Sequence, residues 1–176
     1  MVAQETINVI KRGDRGKEPL NIQKIHDMVE YAVEDIKGVS ASQVEMQSGL
    51  QFYDGMSTDE IQQILIKSAA DLISLETPNY QYVAARLLLY SLRKQVIDKL
   101  WDHPHIYDHT KKCIEKGVYD PSILESYEKK DFDRMENWIN HNRDYDFTYA
   151  GLRQVIDKYL VQDRSSGEVF ETPQFM

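Results

Sequence analysis

The chain has 176 residues, of which 41% are hydrophobic and 28% charged, and it carries a single cysteine, Cys113. This size and composition suit a globular protein with one ordinary domain or two small ones. No apolar run approaches the ~18 residues of a membrane span, and the amino end matches neither a secretory signal nor a transit peptide. One cysteine excludes an internal disulfide framework. We therefore expect a protein of the cytoplasm, or of a host cytoplasm if the chain is viral, with no membrane partner.

The net charge of −8 argues against a nucleic-acid partner, but the charge is unevenly distributed. Residues 1–24 contain five basic and three acidic side chains, whereas residues 25–80 contain two basic and ten acidic ones. A basic start on an acidic body suits a compact anion such as a triphosphate, because the field of the cluster is local. Short basic clusters more often belong to solvated faces, and charge alone favours that simpler explanation.

Residues 7–20 are predicted to form a β-hairpin. Ile7 and Val9 alternate with polar neighbours, and turn-forming residues follow at 13–16. Pro19, in the return strand, has no backbone N–H to donate to a ladder, so this strand should lie at a sheet edge.

Two helices are predicted next. The first begins at Asn21, a favourable N-cap, carries apolar residues at helical spacing as far as Ile36, and stops at Gly38. The second begins at Ser40, whose spacing to Gln43 fits a capping box, and closes near residues 53–55.

Two further helices complete the first domain. Ser57 and Glu60 repeat the capping-box spacing and open a third helix, and Thr77-Pro78 caps a fourth that runs to about Leu100. The predicted fold class is therefore α+β and mostly helical, with a small antiparallel β-hairpin covered by four helices within residues 1–100.

A domain boundary is expected at Trp101-Asp102-His103-Pro104, where the helical pattern breaks, so that residues 101–176 form a second region. This region is predicted to be mostly helical, with helices at about 105–116, 121–127, 130–141 and 147–159. Leu160-Val161 and Val169-Phe170 flank a turn and indicate a second hairpin.

Four segments of the first domain stand in a characteristic order: Val9-Ile10-Lys11-Arg12, Asn21-Ile22-Gln23-Lys24-Ile25, Tyr53-Asp54-Gly55-Met56-Ser57-Thr58, and Asn79–Leu87 followed by Arg93-Lys94. In this order and spacing they resemble an ATP-cone, the nucleotide-sensing domain at the amino end of the class I ribonucleotide reductase large subunit. The second region resembles the helical segment that follows the cone in that subunit, at Asn142-Arg143-Asp144, Phe147-Thr148-Tyr149, Lys158–Val161 and Glu171–Phe175. The resemblance covers nearly the whole chain.

The resemblance implies a binding site for ATP or dATP, with Mg²⁺, as an allosteric effector. Lys11 and Lys94 match the family's phosphate-contacting lysines, and Thr58 matches its hydroxyl contact. The segment that surrounds the adenine corresponds to Glu18, Pro19, Leu20, Asn21, Ile22, Gln23 and Lys24. Singly, Asn21 and Thr58 are equally well explained as helix-start residues, and Lys94 as a cation near a helix end. The joint order and spacing favour the binding site.

Two positions depart from the family members that dATP switches off. Gln62 stands where those members have a histidine, and Ser91 stands where they can carry one; Gln62 cannot take up a proton. The hairpin turn also has one extra residue around Arg15-Gly16. The resemblance therefore implies the fold and a nucleotide site, and leaves strong inhibition by dATP open.

No catalytic residue and no protein-bound metal are expected in this chain. Ribonucleotide reduction in the family needs one cysteine for a thiyl radical and two more to deliver electrons from thioredoxin or glutaredoxin, and Cys113 matches none of them. His109 and Cys113 share a helix face at i, i+4, but two ligands make no zinc site. A packed cysteine beside a surface histidine is the favoured explanation.

The leading hypothesis is the amino-terminal, effector-binding part of a ribonucleoside-diphosphate reductase large subunit, the enzyme that makes deoxyribonucleotides for DNA synthesis. Expected partners are the small, radical-generating subunit, the remainder of the large subunit and a second copy of the chain. Because Glu171-Thr172-Pro173 prepares a helix start with no room for the helix, we expect a truncated or split chain that leads into an absent catalytic barrel.

Two alternatives stay open. A transcriptional regulator built on the same cone would carry a four-cysteine zinc ribbon before it, which this chain lacks. A non-catalytic interaction module, whose cone keeps the fold but has lost nucleotide binding, is compatible with the departures at Gln62 and Ser91.

Overall fold

In a computed structural model the chain is described over residues 7–12, 16–49 and 52–176, and it divides into two units. The first unit contains the described residues up to Ser91 together with Thr148–Ala150, and the second contains Leu92–Phe147 and Gly151–Met176. This division runs through a helix rather than through a linker. It does not test the expected boundary at residues 100–101, which stays a prediction.

The first unit contains a three-stranded mixed sheet. Strand β1 (Asn8–Ile10) lies in the centre, antiparallel to β2 (Lys17–Pro19) and parallel to β3 (Met56–Ser57). The predicted hairpin is therefore confirmed, with Pro19 in an edge strand, while the predicted turn at residues 13–15 lies outside the described residues. Strand β3 was not predicted, because two residues are too few to show an alternating pattern.

Four helices accompany the sheet: α1 (Ile22–Val33), α2 (Ala41–Ser48), α3 (Thr58–Asp71) and α4 (Tyr80–Val96), the last of which continues into the second unit. Each contributes completely buried apolar side chains, among them Val29, Val44, Leu65 and Leu87. Val9 and Met56 are the buried residues of the sheet. The predicted α+β, mostly helical fold is confirmed.

The predicted starts of α1 and α3 are confirmed, and in both the capping side chain bonds an N–H three residues along the chain. The Asn21 side chain accepts a hydrogen bond from the Lys24 N–H at 3.2 Å, and the Ser57 hydroxyl accepts one from the Glu60 N–H at 3.0 Å. Each bond satisfies an N–H group that a helix start leaves without a partner.

The capping box predicted at Ser40 and Gln43 is wrong. The Ser40 side chain makes no capping hydrogen bond. Instead its backbone N–H donates to the Tyr80 hydroxyl at 3.0 Å, and that hydroxyl hydrogen-bonds to the Gln43 side-chain oxygen. The buried Tyr80 of α4 thus bonds both the Ser40 N–H and the Gln43 side chain, which were expected to bond each other in the capping box.

Helices α1, α2 and α4 end earlier than predicted, and each is followed within two residues by a left-handed residue. These residues are Asp35 after α1 (φ 61°), Gly49 after α2 (φ 51°) and Asp98 after α4 (φ 59°). A left-handed residue ends the helical hydrogen-bond pattern. Glycine is the usual residue for this conformation, so the helix ends at the two aspartates could not be predicted in the same way.

The second unit is helical, as predicted. Its helices are α5 (Ile106–Glu115), α6 (Ser122–Ser126), α7 (Lys129–Glu136) and α8 (Tyr149–Lys158), whose first residues belong to the first unit, with 3₁₀ turns at His141–Asp146 and Pro173–Phe175. The predicted second hairpin is reduced to one bridge between Gln162 and Val169.

A buried ion pair organises the second unit. Arg93, 2% exposed, donates to Asp144 Oδ2 at 3.2 Å, to the His141 backbone oxygen at 2.8 Å and to the Tyr145 hydroxyl at 3.0 Å. Burial raises the pKa of Asp144 above its usual value, although the hydrogen bond and charge of Arg93 oppose this shift. Removing one partner would leave the other charge buried without compensation, which is strongly destabilising.

Cys113 is packed, as predicted, but the expectation that His109 lies on the surface is wrong. His109 is 4% exposed and Cys113 is 2% exposed, with His109 Nε2 3.6 Å from Cys113 Sγ. The ring of Phe175, distant in sequence, stacks on His109 at 4.3 Å and covers that face of α5.

Burial also disfavours charge on three histidines of this unit. The rings of His103 and His141 stack with their centroids 3.6 Å apart. Burial is the leading cause that lowers the pKa of His103 and of His109 to about 4, and it lowers the pKa of His141 as well. The charge of Arg93 adds to the effect at His103 and His141.

We predict that the second unit loses stability as the pH falls from about 6.5 towards about 4. In that range the unfolded chain binds protons at these histidines that the folded unit does not, so acid favours unfolding. The raised pKa of Asp144 acts in the opposite direction and partly offsets the loss at the acid end.

Urea unfolding followed by tryptophan fluorescence measures this effect, because Trp101 and Trp138, both tryptophans of the chain, lie in the second unit. His103→Gln should reduce the slope of stability against pH by up to about one proton. An unfolding midpoint that stays constant or rises on acidification contradicts the prediction.

Candidate functional site

The hairpin and the start of α1 bring three predicted site residues into contact. Lys11 Nζ lies 2.8 Å from Glu18 Oε2, and Lys24 Nζ lies 3.8 Å from Glu18 Oε1. The side chains are 43%, 67% and 31% exposed for Lys11, Lys24 and Glu18, so a dissolved ligand can reach all three. One carboxylate therefore lies between two solvent-facing ammonium groups.

The start of α1 beside this cluster is open and partly apolar. Asn21, Gln23 and the edge residue Pro19 are exposed, and Ile22 leaves 61% of its surface exposed. The N–H groups of a first helical turn have no intrahelical partners, and the helix dipole makes this end favourable for anions. An apolar side chain next to an anion-favouring helix end offers surfaces for both parts of a nucleotide.

Thr58 and Lys94 occupy different units. Thr58 is half-buried and is the first residue of α3. It directly follows β3, in which Ser57 pairs with Ile10 of β1. Lys94 is exposed in the last turn of α4 and belongs to the second unit. The first unit thus contains every predicted site residue except Lys94, whose participation stays a prediction.

Arg12, which follows Lys11, is a supporting residue that the sequence did not reveal. Its Nε donates to Asp59 Oδ1 at 2.5 Å, its Nη1 to the Ser91 backbone oxygen at 2.9 Å and its Nη2 to the Ser91 hydroxyl at 3.1 Å. These bonds fasten the end of β1 to the start of α3 and to α4. Two sequence signals mark Arg12, its place in a basic cluster and its place in the segment Val9-Ile10-Lys11-Arg12, but neither indicates which groups it contacts.

The two departures from the dATP-inhibited family pattern lie in the packing of the first unit. Gln62 is 9% exposed, and its Nε2 donates to the Leu87 backbone oxygen at 2.8 Å, joining α3 to α4. Ser91 is 8% exposed and accepts from Arg12. Both side chains therefore contribute polar contacts to the support of the site.

Within residues 7–12, 16–49 and 52–176, no three His, Cys, Asp or Glu side chains are grouped so that they could hold a metal ion. In the same ranges, every helix is too short or too polar to cross a bilayer.

The family model of the ATP cone domain matches residues 7–95, about half of the chain. The chain belongs to the ATP-cone family. The cone thus includes the sheet, helices α1 to α3 and almost all of α4, which confirms the resemblance based on the four sequence segments.

Curated relatives extend the similarity beyond the cone. The chain is 44% identical over 168 residues to ribonucleoside-diphosphate reductase 1 subunit alpha of Escherichia coli, covering 96% of this chain and 22% of that protein. It is 44% identical over 172 residues to the alpha subunit of Haemophilus influenzae, covering 98% and 22%. For the alpha subunit of Helicobacter pylori the identity is 38% over 171 residues, covering 97% and 21%. The chain therefore spans about a fifth of the length of these relatives.

We predict that Gln62→Ala destabilises the cone by about 1–3 kcal/mol, because it removes a buried hydrogen bond and leaves a small cavity. Gln63→Ala is the matched control, since Gln63 is the exposed neighbour on the same helix. Urea unfolding followed by circular dichroism compares the two variants, and equal stability losses would contradict the assigned role of Gln62.

Proposed function

We propose that the cone of this chain binds ATP or dATP, with Mg²⁺, as an allosteric effector. The supporting observation is the open cluster of Lys11, Glu18 and Lys24 at the exposed start of α1, in a chain of the ATP-cone family. The donor set fits a triphosphate: two ammonium groups and a helix N-terminus are the groups that proteins use for phosphates.

The base and the sugar have candidate contacts at the same end of α1. Pro19 and Ile22 expose apolar surface on which an adenine ring can lie. Asn21 caps α1 through its side chain, so we assign it a positioning role at the turn. Leu20, Gln23 and Thr58 are the remaining predicted contacts of the first unit, and the family resemblance predicts Lys94 as a further phosphate contact.

We further propose that the chain is the amino-terminal regulatory part of a ribonucleoside-diphosphate reductase large subunit. Effector binding would bias the association of this subunit with a small, radical-generating subunit or with a second copy, through different contacts in two assemblies. The candidate docking surface is the exposed acidic face formed by Asp27 and Glu30 of α1 and by Glu34, the residue that follows the helix. Deoxyribonucleotide synthesis in the cytoplasm is the activity that this proposal assigns to the whole enzyme.

A second candidate is an interaction module that has lost nucleotide binding. It is favoured by Glu18, which already forms ion pairs with both lysines, and by the engagement of Gln62 and Ser91 in contacts within the cone. The two candidates differ in one measurable property, the affinity for nucleotide.

Calorimetric titration of the whole chain with ATP and with dATP, each with Mg²⁺, tests the proposal. We expect binding that Lys11→Ala, Lys24→Ala and Lys94→Ala each weaken about tenfold or more, because each removes a charged contact to phosphate. Lys67→Ala is the control, since Lys67 is an exposed lysine of α3 outside the proposed site.

Binding that Lys67→Ala also weakens to the same extent would show only a general charge effect and would contradict the proposed site. Absence of heat with both nucleotides, from a chain shown to be folded by circular dichroism, would instead support the interaction module.

A further inference from the structure

Glu18 occupies the position between the two ammonium groups that the proposed function assigns to phosphate. Its two carboxylate oxygens face different lysines, Oε2 towards Lys11 at 2.8 Å and Oε1 towards Lys24 at 3.8 Å. A phosphate that contacts both lysines has to replace this carboxylate or bind beside it. In either case the negative charge of Glu18 opposes the incoming anion.

The backbone keeps this carboxylate close to the site. Glu18 is the central residue of β2 and pairs with Val9 of β1, and the N–H of Leu20, two residues later, donates to the Ile7 oxygen at 2.9 Å. The side chain can rotate away from the lysines, but its Cα stays fixed in the hairpin. The opposing charge therefore remains near the site after an anion has bound.

The ion pairs themselves are exchangeable. All three side chains are between 31% and 67% exposed, and ion pairs in contact with water are weak and screened by salt. A phosphate group can therefore displace Glu18. The same exposure means that removing the carboxylate should leave the hairpin folded.

We propose that Glu18 is an internal counter-anion that lowers the affinity of the cone for phosphate groups and so sets the effector concentration at which the site fills. This inference rests on the proposed function, because it concerns the same lysines. It differs from the role around the adenine that the family resemblance implies for Glu18, since it acts on the phosphate part of the ligand.

Inorganic tripolyphosphate separates the two roles, because it carries the charge of a triphosphate and has no base. Glu18→Gln should tighten tripolyphosphate binding to the whole chain about three- to tenfold, as expected for one partly screened charge. The affinity of the Glu18→Gln variant for tripolyphosphate should also fall more steeply with added salt than that of the unaltered chain. In the variant, binding displaces salt counter-ions from the lysines instead of the Glu18 carboxylate. Glu76→Gln, in the exposed loop between α3 and α4, makes the same change in net charge and should leave the affinity unchanged.

A double-mutant cycle tests whether Glu18 acts through its partner. In a Lys11→Ala background the gain from Glu18→Gln should shrink, because one of the two competed ammonium groups is gone. Glu18→Ala provides a second variant without the carboxylate. Tripolyphosphate affinity that is unchanged or weaker in both Glu18 variants, with native circular dichroism, would overturn the inference.

The outcome for ATP keeps this inference separate from the proposed function. If the unaltered chain binds ATP through Lys11 and the Glu18 variants do not gain affinity for tripolyphosphate, the inference fails and the nucleotide site stands. If the unaltered chain binds no ATP but Glu18→Gln binds tripolyphosphate through Lys11, the inference stands and nucleotide sensing by this chain fails.

Discussion

The guanidinium of Arg12 joins the parts of the first unit on which the proposed site depends. Strands of two and three residues make few ladder hydrogen bonds. A sheet of this size therefore needs packing against helices for stability. Arg12 ties the end of β1 to Asp59 at the start of α3 and to Ser91 on α4. Because Lys11 immediately precedes Arg12, the same bonds fix the backbone from which the first proposed phosphate contact extends.

Two adjacent cations at the end of β1 therefore have different tasks. Arg12 is directed into the packing of α3 and α4, whereas Lys11 is 43% exposed and balanced by Glu18. The proposed site consists of exchangeable charges on a fixed backbone, and its affinity depends on which anion the lysines prefer. Gln62 and Ser91 belong to the supporting layer. Having Gln62 and Ser91 instead of histidine at these positions therefore affects mainly the contacts that hold α3, α4 and the hairpin together.

Features encoded by neighbouring residues could be predicted from the sequence, and those created by distant contacts could not. The caps at Asn21 and Ser57 were predicted, because each is satisfied by an N–H three residues along the chain. The box at Ser40 failed, because Tyr80, 40 residues later, takes its place. Strand β3 and the bonds of Arg12 depend on partners that are still more distant in the sequence. The site residues came from a family pattern, and the pattern contained no information about the ion pairs of Glu18.

Amide hydrogen exchange of the whole chain, with and without saturating ATP and Mg²⁺, would show whether the cone binds its effector at the hairpin and the start of α1. Ligand contacts suppress local opening and slow exchange where they form. The expected result is slower exchange in β1, β2, the first turn of α1 and the start of α3, with α5 to α7 unchanged. Exchange that is unaffected by ATP throughout the cone, or slowed only in α5 to α7, would contradict it.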